Sequence, residues 1–257
     1  MIWVAYDTYK DGDFDVYLAQ IKSGQVVNSL IPVATTPHFE ARANLAVDTQ
    51  DRIWVTWESG PLNWGKDNGS IMGDNRIGSP LGGFREPRIA CLESGVWFEP
   101  EASLPEAFRP YNTYQPSVFS DGSGSVWVVA MEHRREGPTR ESVLSRKRSY
   151  PEYWKGRPDG YWGYWITHLE GKRWTEPKFL PHSKGRSSTR MGAALMGNQN
   201  LWMVWPTDNR ESVYHHRPVR QQVYVGVAET ANKSETPVLL ERRPEDKRLG
   251  PRQSAEL

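Results

Sequence analysis

Arginine, aromatic and carboxylate side chains recur at related places along this sequence, in a pattern suited to gripping a polar, anionic ligand. Arg42, Gln115 and Arg190 each stand twelve residues before a tryptophan: Trp54, Trp127 and Trp202. Two guanidinium groups converging from equivalent positions would hold a carboxylate, sulfate or phosphate through planar, bidentate hydrogen bonds. In the simpler alternative each pairs with a nearby carboxylate, such as Glu40, and fastens a loop. A second group comprises Trp64, Lys66, Arg85, Arg134, Trp154 and Arg210. Aromatics interleaved with Arg, Asp and Glu can stack on a sugar ring and hydrogen-bond its hydroxyls or carboxylate. The same residue types also serve long loops that merely pack on one another.

Bond-breaking chemistry has weaker support. Glu58, Asp67 and Asp208 are the candidate catalytic carboxylates; Glu58 follows its tryptophan at the same distance as Asp7 follows Trp3. Glycoside hydrolysis needs two carboxyl groups at a defined separation, and turn or salt-bridge roles explain each residue as well. Asp11-Gly12-Asp13-Phe14-Asp15 looks like a calcium loop but lacks the glycine and terminal glutamate of an EF-hand, so it reads as a turn between strands. His215-His216, with His133 and His38, has no zinc spacing, and the single Cys91 excludes a disulfide within the chain or a cysteine-rich metal site. Neither a phosphate-cradling loop ending in Lys-Ser/Thr nor a Gly-x-Ser-x-Gly elbow occurs. No cofactor or metal is expected.

Composition narrows the partners. The chain has 257 residues, 37% of them hydrophobic and 25% charged, as a globular protein does. A net charge of +1 gives no overall field for nucleic acid or an anionic membrane. No apolar run reaches the roughly 18–20 residues of a spanning helix, and Met1 to Tyr6 lacks the build of a signal peptide. The compartment stays open: if a longer parent protein is exported, its signal lies upstream.

The elements that must position these residues are strands. Short apolar runs bounded by Gly, Asp, Asn and Pro recur, and one unit repeats: a small-residue strand, a polar turn, a tryptophan strand, an insert, a strand, a glycine turn and a strand closing in proline. Leu92 to Pro100 (LESGVWFEP) and Leu169 to Pro177 (LEGKRWTEP) nearly duplicate one another, each followed by Leu-Pro. The tryptophan strands start at Ile2, Ile53, Val126 and Leu201, and the first unit lacks its opening strand. Four antiparallel strands per unit, repeated about four times, predict an all-β propeller over residues 1–240, either a closed or an incomplete ring, with 241–257 a charged tail or linker. Two packed sandwich sheets are the alternative. Tryptophan on the second strand should fill the wedge between neighbouring sheets, and Ala46, Ala193 and Ala194 suit a crowded inner strand.

Within such a blade the second-to-third-strand connections share one face. Here they are the long ones, 58–86, 132–163 and 206–221, and they carry most of the arginine and aromatic residues above. Loops gathered on one face of a repeat scaffold are where function usually sits.

The motifs Trp3-Val4-Ala5-Tyr6-Asp7, Gly12 to Leu18, Asn63-Trp64-Gly65-Lys66-Asp67 and Trp205 to Arg210 resemble the sialidase-like propeller region of large bacterial proteins of unknown function. In those proteins a metal-dependent domain of the polymerase-and-histidinol-phosphatase type follows. The resemblance implies that missing blades or such a domain are partners of this chain, and that any hydrolase activity of that domain is not housed in it. Sialidase signatures themselves are incomplete. Phe84-Arg85-Glu86-Pro87 departs from their Phe-Arg-Ile-Pro, and Ser120 to Trp127 puts Gly122 where the Asp-box aspartate belongs. Three functions follow as expectations: a non-catalytic propeller recognising a carbohydrate or other small anionic ligand on its insert-bearing face, a sialidase-like glycoside-processing enzyme, or a structural or protein-docking propeller.

Overall fold

A computed structural model of the chain describes residues 1–10, 12–61, 85–100, 104, 108, 113–134, 161–180, 183–184, 191–196, 200–207, 222–229 and 238–240. The fold is all-β and propeller-like, built from four antiparallel sheets. The first holds β1 (Ile2–Lys10), β2 (Asp13–Lys22) and β3 (Gln25–Ala34). The second holds β4 (Glu40–Val47), β5 (Ile53–Ser59), β6 (Glu86–Glu93) and β7 (Val96–Phe98). In the third, β8 (Thr113–Ser120), β9 (Val126–Arg134) and β10 (Tyr161–Glu170) are followed by β11 (Arg173–Trp174) and β12 (Lys178–Phe179). Both short strands pair with β10, so they form one interrupted outer strand. The fourth holds β13 (Gly192–Met196), β14 (Asn200–Thr207), β15 (Gln222–Glu229) and β16 (Val238–Leu240). Strand order within every sheet follows chain order, as in a meander.

The turns follow from local sequence. Ser23-Gly24 and Ser94-Gly95 close two-residue hairpins with positive φ at both residues (51° and 78°, 50° and 83°). That backbone twist matches the strands it joins. The aspartate-rich segment after Lys10 is a hairpin turn, since Lys10 pairs directly with Asp13. The opening strands of the second and third sheets begin earlier than the sequence pattern predicts, at Glu40 and Thr113 rather than Asn44 and Pro116. Each carries a bulge, between Ala41 and Asn44 and between Tyr114 and Ser117, which breaks the alternation that marks a strand.

Apolar clusters join the sheets in series. Val16, Leu18 and Ala34 of the first sheet pack on Ile53, Val55, Trp57, Ala90 and Leu92 of the second. Trp54, Ile89 and Cys91 of the second pack on Val118, Val126, Val128 and Ala130 of the third. Val129, Met131, Tyr164 and Ile166 of the third pack on Met203 and Trp205 of the fourth. The fillers are less uniform than the repeat suggests. Trp54 is 1% exposed, but Trp3 and Trp127 are half-buried and only flank the clusters. In the fourth sheet the buried indole is Trp205, three residues after Trp202 and hence on the opposite face of the strand. Cys91 lies deep in the second cluster, where burial pushes its thiol up to about 12.

A polar anchor accompanies the wedge. The Trp54 indole donates to Asp48 (2.8 Å), and the Trp127 indole donates to Asp121 (2.9 Å). The same carboxylates accept the backbone N–H groups of Gln50 and Arg52, and of Ser123 and Ser125, so each aspartate ties its turn to its tryptophan. Asp48 also holds Arg52 at 2.7 Å. The aspartate precedes its tryptophan by six residues in both sheets, a spacing the Asp-box comparison at Gly122 missed.

Burial of Asp48 raises its pKa, but hydrogen bonds from Trp54, Arg52 and Gln50 outweigh this and hold it below the usual carboxylate value. A depressed folded-state pKa stabilises the fold above the unfolded value of about 4 and loses that contribution as pH falls through the folded value. Asp48→Ala is expected to cost about 2–3 kcal/mol at neutral pH, because it strands a buried indole N–H and two turn amides. Asp48→Asn should flatten the acid limb of the stability curve, measured by denaturant melts between about pH 3 and pH 7.

Candidate functional site

The two bulges position the site. At Arg42 and Gln115, the equivalent residues of the second and third sheets, the backbone turns into the left-handed region, with φ of 60° and 51°. Neither is glycine, so each conformation costs on the order of 1–2 kcal/mol and must be held by its surroundings. What holds them is carboxylate. The Arg42 N–H donates to Asp7 (2.9 Å), and the Gln115 N–H donates to Glu58 (2.6 Å). Arg42 Nη1 also reaches both oxygens of Glu58, at 2.9 and 2.7 Å.

Glu58 is fully buried, whereas the Arg42 side chain is 45% exposed. The Arg85 guanidinium stands behind the same carboxylate, Nε 3.9 Å away, and lies over the Phe39 ring at 3.8 Å. Burial lowers the Arg85 pKa, and the negative charge of Glu58 works against that. Burial raises the Tyr114 hydroxyl, opposed by the charge of Arg85. Burial alone pushes the Tyr164 hydroxyl well above its ordinary range.

Arg42, Arg85, Gln115 and Tyr164 line one cavity of about 560 Å³, to which strands of the first three sheets contribute. Asp7 and Phe14 come from the first sheet, Arg42 from the second with Arg85 just before β6, Gln115 and Tyr164 from the third, and Met191 from just before β13. The cavity, hereafter the mouth, lies where β1, β4 and β8, the first strands of the first three sheets, approach one another. The arrangement can bind a polar, anionic group: Nη1 of Arg42 is committed to Glu58, while its Nε and Nη2 have no hydrogen-bond partner among the described residues.

Of the residues predicted from sequence, Arg42, Arg85 and Gln115 meet here, with Glu58 beneath them. Arg42 pairs with Glu58 rather than Glu40, whose carboxylate is engaged by the Thr36 amide and hydroxyl. Arg134 is elsewhere, its Nε bonded to Glu132 at 2.6 Å and its guanidinium 3.3 Å over the Trp165 ring. Trp64, Lys66, Asp67, Trp154, Arg190, Asp208 and Arg210 lie outside the described residues. Sequence reasoning missed Asp7, Tyr114, Tyr164 and Phe39 as site residues. Asp7 had a signal, since it aligns with Glu58, but the aromatics had none. Among the described residues no His, Cys, Asp and Glu group could hold a metal ion, and no helix is long and apolar enough to cross a membrane.

No protein-family model matches the chain, and no curated protein matches it in sequence. Solved structures do match in fold. An ulvan lyase representing a new polysaccharide lyase family aligns with TM-score 0.50 at 12% identity, over 92% of this chain and 54% of the lyase. The same lyase bound to -[GlcA(1-4)Rha3S]- aligns with TM-score 0.51 at 12% identity and the same coverage. An endo-arabinase from Bacteroides thetaiotaomicron gives TM-score 0.43 at 11% identity, over 93% of this chain and 75% of the arabinase. The chain thus spans about half the length of the lyase whose fold it shares.

Glu58→Ala removes a buried carboxylate 3.9 Å from Arg85 Nε, the partner of Arg42 Nη1 and the acceptor of the Gln115 amide. A loss of about 3–5 kcal/mol is expected in chemical denaturation. Gln115→Gly keeps the amide and relieves the left-handed strain, so it should leave stability unchanged or raise it by up to about 1 kcal/mol.

Proposed function

We propose that the chain is a glycan-recognition propeller that binds an acidic polysaccharide at its central mouth, without cleaving it. The observation that carries this reading is Arg42. Its backbone is held in a strained conformation, one nitrogen is anchored on a buried carboxylate, and its half-exposed side chain lines a cavity with Nε and Nη2 unbonded among the described residues. Strain of this kind persists where function requires it. A guanidinium fixed in this way matches the two oxygens of a uronate carboxylate or a sulfate at little entropic cost. Phe14 and Tyr164 in the same cavity offer apolar and aromatic surface for a sugar ring. The related fold of a lyase with a bound glucuronate and sulfated rhamnose polymer supports a ligand of this class.

Binding is favoured over catalysis because the carboxylates of the mouth already serve the protein. Glu58 accepts from Arg42 and Gln115, and Asp7 accepts from Arg42. Glu58 is therefore read as the group that positions Arg42. In this reading Arg42, Arg85 and Gln115 form the described part of the ligand surface, to which Trp64, Lys66, Trp154, Arg190 and Arg210 would add from neighbouring segments. Further blades of a larger ring, or the metal-dependent domain implied by the sialidase-like resemblance, are its proposed covalent partners.

Titration calorimetry with hyaluronan and ulvan oligosaccharides should give saturable binding that weakens with salt, and a neutral xylo-oligosaccharide should bind at least tenfold more weakly. Arg42→Ala should reduce affinity for the acidic ligands at least tenfold while remaining folded. Equal binding of neutral and acidic oligosaccharides, or indifference to Arg42→Ala, would refute the mouth as the site. Shortened or unsaturated products in the same incubations would refute the non-catalytic reading.

A further inference from the structure

The tryptophan strands β1, β5, β9 and β14 send alternate side chains to opposite faces of their sheets. In β5 the residues flanking Trp54, Ile53 and Val55, are buried against Val16 and Leu18 of the first sheet. In β9 the residues flanking Trp127, Val126 and Val128, are buried against Trp54 and Cys91 of the second. In β14 Met203, next to Trp202, is buried against Val129 and Met131 of the third. The same positions of β1 are Ile2 and Val4, and these are 61% and 38% exposed. The first sheet thus carries a face of the kind that receives a preceding sheet, and no described sheet covers it.

Register extends this face across three strands. Ile2, Ile21 and Val26 form one row, and Val4 and Ala19 form the next, with no charged residue in either. A contiguous exposed apolar patch marks an interaction surface.

The other end of the series offers the complementary half. Trp3 of the first sheet packs forward on the second, and Trp54 of the second packs forward on the third. In the fourth sheet Met203 and Trp205 face the third, so Trp202 and Val204 point away from it. Val204 is exposed, and the register sets Val227 and Val225 of β15 opposite Trp202 and Val204. One chain therefore holds both halves of the sheet-to-sheet contact that it already makes three times, and each half is uncovered.

We propose that a second copy of this chain covers both faces, the fourth sheet of each copy packing on the first sheet of the other. The contact is head-to-tail, and two such contacts about a two-fold axis close a ring. Two copies of four sheets give eight, within the roughly four to eight blades of closed propellers. The chain spans about half the length of the lyase whose fold it shares, so two copies match the extent of that fold. This inference does not depend on the glycan reading of the mouth.

Sedimentation velocity of the whole chain at micromolar concentration should give a species of twice the mass of one chain. Val4→Glu and Val204→Glu each bury an unpaired charge in the contact, and each should weaken the dimer at least a hundredfold. Both positions are exposed within one chain, so the fold should survive. Mixing the two monomeric variants should restore a dimer, because the intact fourth sheet of Val4→Glu meets the intact first sheet of Val204→Glu. That recovery also shows that both variants are folded. A monomeric wild-type chain would overturn the proposal and leave the two faces to blades of a longer chain. A dimer lost in one variant alone, or in neither, would overturn head-to-tail pairing. Growth into larger assemblies would overturn the closed ring of two.

Discussion

The carboxylate of Glu58 sits fully buried where the second and third sheets meet, and the mouth is arranged around the cost of placing it there. A buried carboxylate is unfavourable unless charge and hydrogen bonds surround it. Arg42 supplies a guanidinium from one bulged strand, Gln115 supplies a backbone amide from the next, and Arg85 adds charge from behind. Each donor is delivered by a departure from regular strand geometry or by a side chain packed on an aromatic ring. The two left-handed residues and the buried ion cluster therefore explain one another.

In the proposed reading, this arrangement joins stability to recognition. Glu58 holds Nη1 of Arg42, and the rest of that side chain lines a cavity to which strands of the first three sheets contribute. The proposed ligand surface rests on the packing of sheets, through clusters that tie first to second, second to third and third to fourth. On the far side of the second sheet a cleft lies beside the end of β3, with Arg85 as the wall between it and the mouth. Because its side chains alternate, β5 supports the mouth through Glu58 on one side and lines the cleft with Trp57 and Ser59 on the other.

The architecture was legible because tryptophan strands and glycine turns report local requirements. Ser94-Gly95 specifies a tight hairpin by itself, and the duplicated segments at 92–100 and 169–177 recur because each blade needs the same outer hairpin. The alignment on tryptophan brought Arg42 and Gln115 to equivalent places, and the structure puts them in equivalent bulges. The bulges themselves were hidden, since an extra residue looks like the end of a strand. Asp48 and Asp121 escaped notice for a similar reason: the comparison tested one aspartate position, whereas the physical need is for any acceptor within reach of the indole.

What the amino-acid sequence settled unaided is periodic and local: the strands, their turns and their antiparallel order within each sheet. Partnership across sheets was decided only by the tertiary structure. Arg42 could have paired with Glu40, two residues away, yet it pairs with Glu58, because the bulge turns its side chain across β4 towards β5 while Thr36 holds Glu40. Arg134 has the same composition signal as Arg85 and ends on Trp165, away from the mouth. A side chain's chemistry is written in its type, but the direction in which it points depends on backbone conformation and on neighbours distant in the chain.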